Sequence, residues 1–294
     1  MKLAIDIGSN TIKCLLGEFR GGKVETFYEK SLESRISGGN VLVGNAADLI
    51  IGALRCFLSD SSKLFPEFSV DAVATSALRD AANSSEICGK VFDATSIKIR
   101  ILSGKEEAEL SYRGAMSDPA VNGNLSNLFF DLGGGSMEVV CGENGRVVSS
   151  ESFKIGAVRM TRKFLASGIS NANLAEIKKF ALGEFEKKLK IARIDSLVGA
   201  GGAVAAARIM KRSMNFTSPE NILSLAEFKY MLDLLLNMQA KDVALKLGIS
   251  QSRAEIVPAA FACVIGLLEF LGADSFVHTF RNLRYGLIMD DFRL

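Results

Sequence analysis

The sequence predicts an α/β protein built from two similar halves that face one cleft. Three observations predict it. One motif occurs twice, as Ala4-Ile5-Asp6-Ile7-Gly8-Ser9-Asn10-Thr11 and, a little under half the chain later, as Phe129-Phe130-Asp131-Leu132-Gly133-Gly134-Gly135-Ser136-Met137-Glu138. In each copy apolar residues run into an aspartate, then glycine, then small polar residues. Each copy also opens a run of alternating or apolar segments separated by Gly or polar turns, the period of antiparallel strands. Downstream, apolar strand-like runs give way to helical spacing, as in open α/β sheets.

Taken in order, residues 2–7, 11–19 and 24–30 read as three strands. Residues 45–58 have helical spacing through Ala47, Leu49, Ile50, Leu54 and Phe57. A strand from Val70 to Thr75 leads into a turn that opens a helix at Ser76. A strand over 97–102 leads into a helix whose Ser103 and Glu106 have capping-box spacing. The second half repeats the meander with strands at 127–132, 136–142 and 146–153. A helix follows Gly156, and another, capped by Asn173 and Glu176, runs to about 190. Ser196-Leu197-Val198 leads through Gly199-Ala200-Gly201-Gly202 into an alanine-rich helix. Beyond 210 the chain reads as helical, with Ser224 and Glu227 as caps and helices at 239–247 and 254–271. A short strand at 275–277 precedes a last helix from about Asn282. The boundary is expected near Asp118-Pro119 and Asn122-Gly123, giving domains 1–120 and 121–294. The helix at about 281–294 is expected to return to the first half.

Composition narrows the function. Hydrophobic residues make up 48% of the 294 residues, enough for two cores, and the net charge of +2 points to neither nucleic acid nor membrane. Five scattered cysteines without a C-x-x-C pair suggest reduced, mostly buried thiols and a cytoplasmic home. Met1-Lys2 leads straight into a strand, so no signal peptide is expected. The longest apolar run, Ile256 to Leu268, contains Pro258 and reads as a buried helix rather than a membrane span. A single histidine, His278, excludes a His-rich zinc site and leaves acid–base chemistry to carboxylates.

The glycine turns point to phosphate. Glycine permits positive φ and close approach of a ligand to the amides. Successive N–H groups in such a turn form a concave anion site. Asp131, at a strand end, suits a hard cation held through its water shell. Gly201-Gly202, opening a helix, is either a third phosphate loop or a site of close helix–strand packing. Arg35, in the glycine-rich loop 33–41, is either an anion contact or a solvated loop charge. Arg79, at a strand-to-helix edge, is either a phosphate ligand or the partner of Asp80 or another acid. Glu107, in a first helical turn, faces the helix dipole, which favours its charged form. It is either a solvated acid or a group able to take a proton from water.

These blocks, with Ser76-Ala77-Leu78-Arg79-Asp80-Ala81, Leu102-Ser103-Gly104-Lys105-Glu106-Glu107-Ala108 and Ile155-Gly156-Ala157-Val158-Arg159-Met160-Thr161, resemble the exopolyphosphatase / guanosine-pentaphosphate phosphohydrolase family. They occur in the family's order over nearly the whole chain. The resemblance implies two ribonuclease H-like (actin-like ATPase) domains. Each would be a mixed five-stranded sheet with flanking helices, facing an interdomain cleft. It implies release of the terminal phosphate of inorganic polyphosphate or of guanosine pentaphosphate. Glu107 then matches the family's base and Glu138 its second acid. Asp6, Asp131 and Glu138 would serve magnesium, with manganese as the alternative. Gly8, Ser9, Asn10, Thr11, Gly133, Gly134, Gly135, Ser136, Gly201 and Gly202 would bind phosphate, with Arg35, Arg79 and Arg284. A homodimer is expected by analogy, with no nucleic acid duplex and no membrane as partner.

The chain departs from the family pattern at Met137, Ala203, Ala260, Asn282 and Tyr285. Tyr285 stands where the family has Glu, which removes a charge. The chain also resembles the family's short form, so the resemblance does not carry over a processive grip on long polyphosphate. Two other readings compete. One is a kinase of the same superfold, and the other a non-catalytic binder of polyphosphate or alarmone.

Overall fold

The computed structural model describes residues 1–191 and 194–290. The chain divides into two compact units. Unit 1 comprises Met1–Asp118 and the chain from Arg281 onward, and unit 2 comprises Pro119–Phe280. The end of the expected last helix, 291–294, lies outside the described residues.

In unit 1 the elements are β1 (Lys2–Ile7), β2 (Thr11–Arg20), β3 (Lys23–Glu33), α1 (Ala46–Leu64), β4 (Ser69–Ala74), α2 (Ser76–Arg79), α3 (Ser84–Thr95), β5 (Ile99–Ile101) and α4 (Gly104–Met116). Helix α12 (Leu283–Met289) completes it. The sheet order is β3-β2-β1-β4-β5, with β1 antiparallel to β2 and parallel to β4. Period-two alternation sorts β1. Leu3, Ile5 and Ile7 join the core under α1 and α3, while Ala4 faces the smaller core with Leu110, Leu283 and Leu287. Asp6 shares the face of Ala4. So do its cross-strand partner Lys13, and Glu29, which pairs with Leu15.

Helix α12 seats against α4 through glycine. A Cβ on Gly114 would meet the Asn282 carbonyl, and one on Gly286 the Leu110 carbonyl. The departure at 285 is absorbed locally. The Tyr285 hydroxyl donates to Glu29 Oε1 at 2.8 Å, and Glu29 Oε2 lies 3.5 Å from Arg284 Nη1. A carboxylate from β3 therefore faces Arg284 on this face.

On the opposite face Asp60 of α1 ties down β3. It accepts from Tyr28 Oη and Lys30 Nζ, each at 2.8 Å. The Lys30 and Tyr28 hydrogen bonds hold the Asp60 carboxyl well below the usual carboxylate range. A depressed carboxyl contributes stability that is complete above its unfolded pKa, near about 4, and is lost as pH falls toward the folded value. In acid titrations of thermal unfolding the wild type is therefore expected to lose stability below about pH 4.5 more steeply than Asp60→Asn. Parallel curves would remove this tie from the acid response.

In unit 2 the elements are β6 (Ser126–Leu132), β7 (Met137–Glu143), β8 (Arg146–Phe153), α5 (Ala157–Phe164), α6 (Asn171–Lys188), β9 (Ser196–Ala200), α7 (Gly202–Ser213), β10 (Ile222–Ser224), α8 (Leu225–Leu236), α9 (Ala240–Leu247), α10 (Gln251–Ala254), α11 (Val257–Leu271) and β11 (Ser275–His278). The sheet order is β10-β11-β9-β6-β7-β8. Its β8-β7-β6-β9 portion repeats the arrangement β3-β2-β1-β4 of unit 1, the repeated mixed pattern that the family resemblance implies. The expected five strands are six here, because β10 adds an antiparallel edge to β11. Helix α11, buried along most of its length, carries the core with Phe130, Phe228 and Phe276.

Local corrections have simple causes. Helix α6 is capped by Ser170, whose hydroxyl accepts from Asn173 N–H, so Asn173 is the recipient and not the cap. The helix expected at 254–271 is α11, which starts three residues later at Val257, after the short α10 has ended at Ala254, and Pro258 sits in its first turn, where a missing N–H costs nothing. The capping boxes at Ser103–Glu106 and Ser224–Glu227 are both formed. All five thiols are free, and burial pushes that of Cys14 up to about 12. No helix among the described residues is long and apolar enough to cross a membrane.

Candidate functional site

The two glycine turns share one geometry. Gly8 N–H donates to Thr11 O at 3.1 Å, and Gly133 N–H donates to Ser136 O at 2.9 Å. Neither Gly8 nor Gly133 uses a positive φ. Glycine supplies room there, since a Cβ would lie 3.0 Å from Thr11 O and 3.3 Å from Ser136 O.

In unit 1 the turn is braced by the loop after β3. Ser34 and Arg35 both donate backbone N–H groups to Asn10 O. Arg35 adopts φ +45°, a conformation uncommon for a non-glycine residue. It is exposed, and its backbone is fixed against the Gly8–Thr11 turn. Asp6, next to last in β1, is partly buried. Burial raises its carboxyl above the ordinary range, and the charges of Lys13 and Arg284 pull it partly back. Arg284 is buried, with Nη1 donating to Cys14 O at 2.8 Å, while its Nε has no hydrogen-bond partner among the described residues.

At the edge of the same sheet Arg79 and Glu107 meet. Arg79 ends α2 and Glu107 lies in the first turn of α4. Arg79 Nη1 donates to Glu107 Oε2 at 2.8 Å and to Leu102 O at 3.0 Å. Glu107 is only 8% exposed. Arg79 thus pairs with an acid, and that acid is the proposed base rather than Asp80. Glu107 is no solvated helix acid.

In unit 2 the turn is held from behind by α5. Gly133 O accepts from Ala157 N–H, and Gly134 O accepts from Val158 and Arg159 N–H. Arg159 Nε donates to Gly135 O at 2.7 Å. These carbonyls cap a helix whose N-cap, Gly156, has no side chain to do so. In a trans peptide N–H and C=O point in opposite directions, so the amide of Gly135 faces away from α5. Gly156 itself permits the approach, because a Cβ would strike Gly134 and Gly135. Gly201 has φ +111° and lies against the Leu132 backbone, so the Gly201-Gly202 loop abuts the end of β6. Gly199 serves packing, between Phe130 and Phe276.

Asp131 and Glu138 are direct cross-strand partners on β6 and β7, so both side chains leave the same face. Both are buried, and Glu138 Oε1 accepts from Ser152 Oγ at 2.9 Å. Among the described residues no three His, Cys, Asp or Glu side chains gather as a metal cage. A magnesium ion keeps several waters and needs one or two carboxylates plus substrate phosphate. The Asp131–Glu138 pair fits that need.

A model of the Ppx/GppA phosphatase family matches residues 30–293. The chain belongs to that family. Over 99% of its length it is 26% identical to the bifunctional 3-dehydroquinate synthase/phosphatase of Fusobacterium nucleatum subsp. nucleatum, of which it covers 46%. The chain therefore spans about half the length of that curated relative. An exopolyphosphatase structure from Cytophaga hutchinsonii ATCC 33406 matches with a TM-score of 0.85 at 19% identity, covering 98% of this chain and 97% of that one. A Ppx/GppA family member from Aquifex aeolicus matches with a TM-score of 0.80 at 20% identity, covering 99% and 97%. At these identities the structures establish the shared fold.

Against this Ppx/GppA background, two residues stand out that the sequence reading passed over as site residues. Lys13 occupies on β2 the place opposite Asp6 that Glu138 occupies opposite Asp131. Aligning the two copies of the motif would have found it. Arg159 braces the second turn, and its signal was a cation in the first turn of a helix, where the dipole does not favour one.

Proposed function

We propose that the chain is a phosphoanhydride hydrolase that releases the terminal phosphate of inorganic polyphosphate or of guanosine pentaphosphate. The observation that carries this reading is the buried Glu107 carboxylate held by the half-buried Arg79 at the edge of the unit 1 sheet. A phosphoanhydride has a good leaving group, so catalysis is mainly positioning, charge neutralisation and an oriented water. Glu107 is the base that takes the proton of that water, and Arg79 holds its carboxylate in place. In unit 1, the Gly8–Thr11 turn, Arg35 and Arg284 bind phosphate oxygens. In unit 2 the amides of the Gly133–Ser136 turn and the Gly201-Gly202 loop do the same. Asp131 and Glu138 would hold magnesium or manganese, with Asp6 as a further acid. When bound, the ion supplies charge neutralisation at the phosphate oxygens.

A phosphate-release assay tests the reading, with short polyphosphate, long polyphosphate and guanosine pentaphosphate compared side by side at several magnesium concentrations. Release from at least one substrate is expected. Tight binding with no release at any magnesium concentration would make the chain a binder. Phosphorylation of an acceptor from a nucleotide would make it a kinase.

A further inference from the structure

We infer that Ser152 is a positioning residue for the reaction, acting through Glu138. The inference rests on the reading of Glu138 given above.

The geometry is specific. Glu138 is almost fully buried, at 1% exposure, and Ser152 Oγ donates to its Oε1 at 2.9 Å. A carboxylate on a three-torsion side chain needs such a contact to hold one rotamer, and a hydrogen bond to an ionised acceptor is the stronger kind.

The register of β8 is what delivers Ser152. The ladder pairs Cys141 with Ser149 and Gly142 with Val147, which leaves Val148 as the extra residue of a bulge. Val148 is 68% exposed. One added residue inverts the facing of every residue beyond it. With the bulge, Phe153 enters the core against Phe185 and Ser152 faces Glu138. Unit 1 uses the same device. Leu16 pairs with Tyr28 and Gly17 with Thr26, Phe27 is left over, and Lys13 faces Ser31. The third strand of each copy thus brings a serine to the residue opposite the motif aspartate. In unit 2 that residue is an acid, and the serine donates to it.

The test measures steady-state phosphate release, on whichever substrate the full chain hydrolyses, for Ser152→Ala, Ser152→Thr and Ser152→Cys. Glu138→Gln and Glu107→Gln are run beside them. Ser152→Ala is expected to lower kcat about tenfold with KM and melting temperature unchanged, the size of a lost hydrogen bond to a charged group. Ser152→Thr, which keeps the hydroxyl and suits a strand, is expected to restore kcat to within about twofold. Ser152→Cys, of similar size with a weak donor, is expected to fall between them. Wild-type kcat in the alanine or cysteine variant, or failure of threonine to restore it, overturns the inference. If Glu138→Gln and Glu107→Gln both turn over normally, the functional reading fails instead. If they are slow while Ser152→Ala is not, only the role of Ser152 fails.

Discussion

Glu107→Gln is expected to slow phosphate release by about 10²–10⁴-fold, the usual worth of a positioned general base. Substrate affinity should survive, since glutamine keeps the shape of the side chain and can still accept from Arg79. The measurement is kcat together with a direct binding constant for polyphosphate. The size of the effect follows from placement. Glu107 is buried at the start of α4, and Arg79 fixes one of its oxygens. A surface glutamate of the same helix, such as Glu109 with its 4.0 Å ion pair to Lys105, offers the internal control. Its replacement by Gln should leave turnover unchanged. Near-normal turnover in Glu107→Gln would refute the base assignment.

Lys211→Met is expected to produce the largest loss of stability, about 3–5 kcal/mol, because it breaks a buried pair and strands one charge. Lys211, 2% exposed on α7, donates to Glu227 Oε1 at 2.9 Å, to Pro219 O at 2.9 Å and to Ile222 O. Glu227 is the third residue of α8 and completes its capping box. Burial pushes the Glu227 carboxyl up, and hydrogen bonds from Ser218, Lys211 and the Ser224 amide together pull it below its ordinary range. Removing the ammonium takes the counter-charge from that carboxylate, which keeps its Ser218 and Ser224 donors, and takes one donor from each of the two carbonyls. The first thermal transition should fall by roughly 10 °C. The double variant Lys211→Met/Glu227→Gln should recover part of the loss, because no uncompensated charge remains. Equal destabilisation in the single and double variants would show that the carbonyl contacts, not the ion pair, dominate.

The legible part of the fold was the part written in local pattern. The meander strands, the capping boxes and the strand–glycine–helix step at 196–202 all depend on residues a few positions apart. What escaped was short or ambiguous locally. Strand β10 has three residues, Ile222–Ser224, too few to show a period. The cap of α6 fell among Ser170, Asn171 and Asn173, all good cap formers, and only the backbone turn selects Ser170.

For the candidate site the division is sharper. By itself the sequence determined which residue types stand where: an aspartate before each glycine turn, an arginine after β4, a glutamate after a capping box. It could not decide whether Glu107 was solvated or buried, nor which acid Arg79 meets. Those answers depend on residues far apart in the chain, and on β4 and β5 lying side by side. The tertiary structure alone decided that Glu29 faces Arg284 and Tyr285, and that a bulge in β8 turns Ser152 toward Glu138. Local sequence sets backbone conformation, but the direction of a buried side chain is set by register and packing between strands that the chain brings together only on folding.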